Sequence, residues 1–206
     1  MTSTGKGSNF DYLWAETESE RKQALSTPFV QGVKDGTLDP VTFGGFVVQD
    51  CIYLYRQYKA IIQAEKTAKP GVLKTFLIKL IGKYEGYYKG AFKLWHIDDP
   101  SGIKLGDACQ TYVDFVDKEA DETETIYFLV SIAPCLKLWS WLGTQIGTKH
   151  GAYDQWVTDN FAGGSTLKSV IGFIDEQKDQ LDRVKALAIF KDGMGHEYKF
   201  FNSAGK

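Results

Sequence analysis

Apolar residues recur along most of the chain at the three- and four-residue spacing of a helix face, not at the alternation of a half-buried strand. The clearest run opens at Asp39, an N-cap residue type, followed by Pro40 at the first helical position, where a missing N–H costs nothing. Phe43, Phe46, Val47, Asp50, Leu54 and Tyr58 carry that helix towards Lys66, and Pro70 with Gly71 ends it. A second long run passes through Leu73, Leu77, Leu80, Ile81, Tyr84, Tyr88 and Trp95 and stops before Asp98, Asp99 and Pro100. Residues 104–120 and 123–147 read as two further helices, and 152–161 as a short one. Gly163, Gly164 and Ser165 introduce another over 166–177. The last is expected from about residue 179 to Ser203, interrupted near Gly193 and Gly195. No segment combines strand alternation with hairpin turns, and nothing repeats at a solenoid period. The fold class is therefore all-α, with long helices packed as a bundle whose interior is a natural place for a ligand.

Length and composition sharpen this picture. A chain of 206 residues without a Pro/Gly/Ser-rich interior linker reads as one domain, here a flexible tail over 1–8 and a helical domain over 9–206. With 43% hydrophobic and 14% aromatic residues it can fill a large core. Lys and Arg number 24 against 26 Asp and Glu, so there is no basic surplus to attract nucleic acid or an anionic membrane, and neither partner is expected. The first eight residues have neither the apolar centre of a signal peptide nor the Arg-rich pattern of a transit peptide, which predicts a cytoplasmic location. The most apolar stretch, 126–146, is broken by Pro134, Lys137, Ser140 and Gly143 and reads as a core helix, not a membrane span. Cys51, Cys109 and Cys135 are odd in number and far apart, which predicts free thiols and excludes a CxxC motif.

Three positions could carry chemistry. Cys135 follows Pro134 inside a helical pattern. A helix restarting or kinked there would leave amides free near the sulfur and lower the thiol pKa, although a small buried apolar residue is the commoner reading of a lone cysteine. Asp50 lies in an apolar helix face with Tyr53 and Leu54 one turn on; it is either a structural acceptor or a carboxylate aimed at a ligand's amine or ring nitrogen. Glu197 shares a face with Phe200 and Phe201, and Tyr112 could add a phenol. If these converge, a thiol beside two carboxylates suits hydrolysis at an electron-poor ring held between aromatic faces. His96, His150 and His196 are scattered, with no Glu-x-x-His pair for a di-iron bundle and no early histidine for haem, and no phosphate loop is present, so a di-iron site, haem and a nucleotide motif are not expected.

The stretch from Pro28 to Leu38 (PFVQGVKDGTL), then Phe43 and the run from Val48 to Leu54 (VQDCIYL), resembles the N-terminal signature of the TenA/thiaminase II family. Ala133-Pro134-Cys135 is similar to that family's Pro-Cys segment, and Glu197-Tyr198-Lys199-Phe200 to its closing motif; weaker similarity at Tyr84-Glu85, Tyr112 and Tyr153 to Trp156 extends it over nearly the whole chain. The resemblance implies a heme-oxygenase-like helical bundle, commonly a homotetramer, that hydrolyses thiamin or its aminopyrimidine degradation products without a cofactor. By that resemblance Cys135 is the nucleophile, Glu197 the acid/base group that protonates the ring, and Asp50 the contact to its polar edge. Tyr53 and Phe200 would stack on the ring, with Tyr112 as a further polar contact. Two pocket tyrosines of the family are replaced here, by Trp139 and Asn160. That leaves a second reading, a scaffold reused to bind or transform a different small molecule; an oxidase of the same superfamily is disfavoured by the missing histidines.

Overall fold

A computed structural model describes residues 7–206. Ten α-helices follow in order: α1 (Asn9–Ala15), α2 (Glu18–Leu25), α3 (Pro28–Asp35), α4 (Pro40–Thr67), α5 (Val72–Leu94), α6 (Asp107–Glu122), α7 (Thr125–Gln145), α8 (Asp154–Asn160), α9 (Ser165–Glu176) and α10 (Arg183–Ser203). Single 3₁₀ turns precede α6, α8 and α10, and no strand occurs among the described residues. The expected tail over 1–8 falls outside the described residues for 1–6. Its last two residues are engaged: Gly7 accepts from the Arg183 guanidinium at 2.9 Å, and Ser8 caps α1 while donating to Asp175 at 2.8 Å.

Local chemistry sets the helix ends. The Asp39 carboxylate accepts from the Thr42 amide at 2.8 Å, so α4 starts where its cap and proline dictate. α3 ends at Gly36, whose φ of 68° is left-handed. A side chain there would also meet the His150 carbonyl at 3.0 Å. α6 begins at Asp107, later than the expected 104, because the Gln49 side chain holds the preceding loop, donating to the Lys104 carbonyl at 3.1 Å and accepting from the Gly106 amide at 2.9 Å. The last helix starts at Arg183 instead of near 179, where Asp182 accepts from the Val184 and Lys185 amides. The break expected at Gly193 and Gly195 does not occur; α10 runs through both. Each glycine forgoes roughly 1 kcal/mol of helix propensity, and packing along α10 outweighs it.

α7 is the centre of the bundle. Residues 126–134 are buried all round the helix, and 67% of its most apolar window is covered by the rest of the protein. Among the described residues it is the one helix long and apolar enough to cross a membrane, and here it is a core helix. α10 and α9 pack on it; α4 lies against α5 and α6, and α10 also contacts α2 and α6. The first helix closes the bundle by docking on its last two: Asn9 donates to the Ile174 carbonyl at 3.2 Å and accepts from Arg183 at 2.8 Å, while the Phe10 and Phe190 rings meet edge to face.

Candidate active site

Four helices contribute side chains to one buried polar centre. On α4, Asp50 and Tyr53 are three residues apart and so share a face; α6 brings Tyr112, α7 brings Cys135 and Trp139 one turn apart, and α10 brings Glu197 and Phe200. Glu197 is 1% exposed. The Tyr112 hydroxyl donates to its Oε1 at 2.5 Å and the Trp139 indole N–H to its Oε2 at 2.9 Å. The Cys135 thiol lies within hydrogen-bonding reach of the same carboxyl and of the Tyr53 phenol. Among the described residues Tyr53 has no hydrogen-bond partner of good geometry, although Cys135 and Tyr112 are both near enough to act on it.

Gly193 is why α10 comes this close to α7. A Cβ built on it would lie 2.7 Å from Pro134 Cγ and 3.2 Å from the Ser131 carbonyl oxygen. Gly193 is one turn before Glu197 and Pro134 immediately precedes Cys135, so this bare contact sets the approach of carboxyl to thiol. Cys135 itself is half-buried although the nine residues before it are all buried.

Aromatic rings form the walls. Tyr53 and Tyr112 lie 4.4 Å apart by centroids, and Phe46 and Phe200 4.7 Å. Trp139 packs against Phe46, Trp156, Phe161 and Phe201 while its N–H turns to Glu197. His196 stacks nearly parallel on the outer face of Tyr112, with centroids 5.3 Å apart and planes 7° apart.

Burial governs the electrostatics. It pushes Asp50 up to about 7, with the Glu197 charge adding to the effect. Glu197 also rises to about 7 through burial, held back by its hydrogen bonds from Tyr112, Trp139 and Cys135. The Cys135 thiol is pushed well above its ordinary range, first by burial and then by the nearby Glu197 and Asp50 charges. This overturns the expectation that Pro134 would leave free amides and a lowered thiol pKa. Pro134 sits inside a continuous α7, and an interior proline removes a donor, so the group it frees is the Val130 carbonyl, not an amide. The Tyr53 phenol favours a thiolate, but burial and the Glu197 and Asp50 carboxyls outweigh it.

Of the residues expected at the site, Asp50, Tyr53, Tyr112, Cys135, Trp139, Glu197 and Phe200 stand together. Asn160 does not join their hydrogen bonds: at the end of α8, its amide donates to the Trp156 carbonyl of its own helix at 2.8 Å. Sequence reasoning missed Tyr84 and Phe46 as neighbours of this centre. Tyr84 is buried on α5 and near enough to Cys135 and Glu197 to be perturbed by both. Both residues fall on the apolar stripes of their helices, where spacing alone cannot separate a pocket wall from core. Among the described residues no three or more His, Cys, Asp or Glu side chains are grouped to hold a metal ion.

Comparison with solved structures returns the same architecture. A TenA family transcription regulator from a Silicibacter species superposes with a TM-score of 0.84 at 16% identity, covering 98% of this chain and 99% of that one. The TenA homologue from Pyrococcus horikoshii OT3 gives 0.83 at 20% identity, with 96% and 98% covered. A candidate TenA-like thiaminase from Sulfolobus solfataricus P2 gives 0.74 at 18% identity, with 95% of each chain covered. Identities this low establish a shared fold and nothing about substrate. Among curated proteins none matches this chain significantly. The TENA/THI-4/PQQC family pattern, however, matches residues 14–205, and the chain is a member of that family.

Proposed function

We propose that this protein is an aminopyrimidine hydrolase of the thiaminase II type, acting in the cytoplasm as a homo-oligomer on thiamin or on its aminopyrimidine breakdown products. The observation that carries this reading is the meeting of one thiol and two raised carboxyls inside a ring-walled centre. A thiol held neutral needs a base before it can add to an electron-poor ring, and the Glu197 carboxyl is within reach of it. A carboxyl whose pKa stands near 7 can both take and return a proton at neutral pH. Tyr53 and Phe200 supply flat faces for a planar ring, and Asp50 offers a hydrogen-bonding group to its nitrogen edge.

The test is incubation of the purified protein with thiamin and with 4-amino-5-aminomethyl-2-methylpyrimidine, following release of the hydroxymethylpyrimidine by chromatography. Cys135→Ser is expected to abolish release while leaving pyrimidine affinity largely intact, because the nucleophile acts mainly in the transition state. Release that is unchanged in Cys135→Ser overturns the reading. One observation favours a second reading, a reused pocket without thiaminase activity: Trp139 fills space that the family gives to a tyrosine and occupies one oxygen of Glu197. In that case the wild type leaves both pyrimidines intact, and Trp139→Tyr with Asn160→Tyr restores hydrolysis.

A further inference from the structure

We propose that Gln57 on α4 determines which ring the site accepts. Its carboxamide reads an amino group beside a ring nitrogen, at the edge of a six-membered heteroaromatic ring opposite to the edge that meets Asp50; this role rests on the hydrolase reading above.

The amide of Gln57 has nothing to bond. The residue is 1% exposed, and neither its Oε1 nor its Nε2 has a hydrogen-bond partner among the described residues. Such a group gives up its bonds to water on folding and recovers none. Six buried side-chain polar atoms of the described residues are unpartnered. Three of them, both atoms of the Gln57 amide and the Tyr53 hydroxyl, lie one turn apart on α4, whereas the rest are single atoms of Glu20, Glu119 and His196 on three other helices. The unmet demand for hydrogen bonds is therefore concentrated beside the site.

Helix geometry puts Gln57 in line with that site. Residues seven apart fall within about 20° of one direction round a helix and about 10.5 Å apart along it. Asp50 and Gln57 are seven apart with Tyr53 between them, and all three are buried. Gln57 thus continues the α4 wall of the site by one turn. Nothing on the facing helices completes its bonding. Tyr53 lies against Tyr112 and Arg56 pairs with Asp117, so α6 runs beside α4 in the same direction and brings Val113 and Val116 to the height of Gln57. Both are buried and apolar. Tyr84 of α5 comes near Tyr53 and Cys135 but makes no bond to the amide.

The spacing suits a single ring. A flat ring stacked on Tyr53 turns one edge to Asp50 and the opposite edge to Gln57, and a rise of about 10.5 Å takes one six-membered ring with a hydrogen bond of about 3 Å at each end. The residue type then sets the edge. A carboxylate only accepts and an ammonium only donates, whereas a carboxamide presents an acceptor and a donor side by side. Its complement is an amino N–H for Oε1 next to a ring nitrogen for Nε2, the pairing by which glutamine reads adenine. A 4-aminopyrimidine carries that edge, and its other ring nitrogen stands on the opposite side, towards Asp50. The same ring without the amino group leaves Oε1 unpaired, and a site built around a hydrogen bond rejects a ligand that lacks it.

The test is titration calorimetry with two pyrimidines that hydrolysis leaves unchanged, 4-amino-5-hydroxymethyl-2-methylpyrimidine and the same compound without its 4-amino group. Each is titrated into the full-length wild type, Gln57→Leu and Gln57→Met. The wild type is expected to bind the amino compound about 10- to 100-fold more tightly. Both variants are expected to bind the two compounds within about 3-fold of each other. A glutamine that only fills the core, or one satisfied by a buried water, leaves the preference for the amino compound intact in the variants, and that result overturns the assignment. Gln57→Met keeps the side-chain length and removes an amide unpaired in the free protein, so its melting temperature is expected at or above that of the wild type. A clear fall, or failure to fold, shows that the amide already has a partner and overturns the assignment as well. A wild type that binds with the expected preference but releases no pyrimidine from thiamin removes the hydrolase reading and leaves the role of Gln57 standing; a wild type that binds neither compound removes both.

Discussion

The contact between Gly193 and Pro134 yields a prediction with an internal control. Replacing a helix-interior glycine by alanine normally stabilises by about 0.8–1.0 kcal/mol, because alanine loses less backbone freedom on folding. Gly195, two residues further along α10, has nothing within 4 Å of an added Cβ, so Gly195→Ala should show that gain in full. At Gly193 the same methyl would lie 2.7 Å from Pro134 Cγ and 3.2 Å from a backbone oxygen. A proline ring and a carbonyl cannot rotate aside, so the helices must part, and overpacking of this kind costs about 1–3 kcal/mol. Gly193→Ala should therefore be less stable than Gly195→Ala by about 1–3 kcal/mol, despite identical chemistry on one helix. Urea unfolding followed by circular dichroism measures both variants, with equal slopes showing that the denatured states are comparable. The separation also moves Glu197 from Cys135, and a displacement near 1 Å is enough for about a 100-fold loss of turnover. Equal stability for the two variants would show that the α7–α10 approach is not set by this glycine.

Two further outcomes follow from the carboxyls. Asp50 rises from 3.8 to about 7 on folding, so the folded chain binds the extra proton between those values and stability falls as pH increases across that window. Asp50→Asn removes the penalty and should raise stability above about pH 7 by up to about 4 kcal/mol, with little effect below about pH 4; thermal melts at the two extremes check it, and a gain that is the same at both would refute the cause. Trp139→Phe deletes the indole donor to Glu197. It should destabilise the protein by about 1–3 kcal/mol and raise the Glu197 pKa, shifting the acid limb of the pH–rate profile to higher pH, measured as kcat/KM against pH.

The fold was readable wherever an end carried its own chemistry. Asp39 with Pro40, and Pro70 with Gly71, bound α4 in the sequence as they do in space, because cap and breaker act within four residues. The start of α10 was misplaced because Asp179 is itself a cap residue type, whereas the Asp182 carboxylate is the one that accepts from the first amides of the helix. Gly193 and Gly195 looked like a break because a glycine's cost is local while its benefit here is a contact with a helix some 60 positions earlier in the chain. At the site, the types and helix faces of Asp50, Cys135 and Glu197 were legible. Their protonation was not, since it depends on which donors four separate helices bring to each oxygen. Asn160 shows the same limit, its position in the sequence giving no warning that its amide would turn back onto its own helix.

The docking of the first helix on the last two has a consequence for how the protein is made. Asn9 and Phe10 leave the ribosome some 165 residues before Ile174, Asp175 and Arg183, the groups that hold them. At a synthesis rate of about 5–20 residues per second, α1 waits roughly ten to thirty seconds for a partner, with Phe10 and Leu13 uncovered. Glu197 arrives later still. The nascent chain thus passes most of its synthesis with an open seam and an unfinished reaction centre, so a chaperone that shields the N-terminal apolar residues during that interval would raise the yield of folded protein without altering its final state.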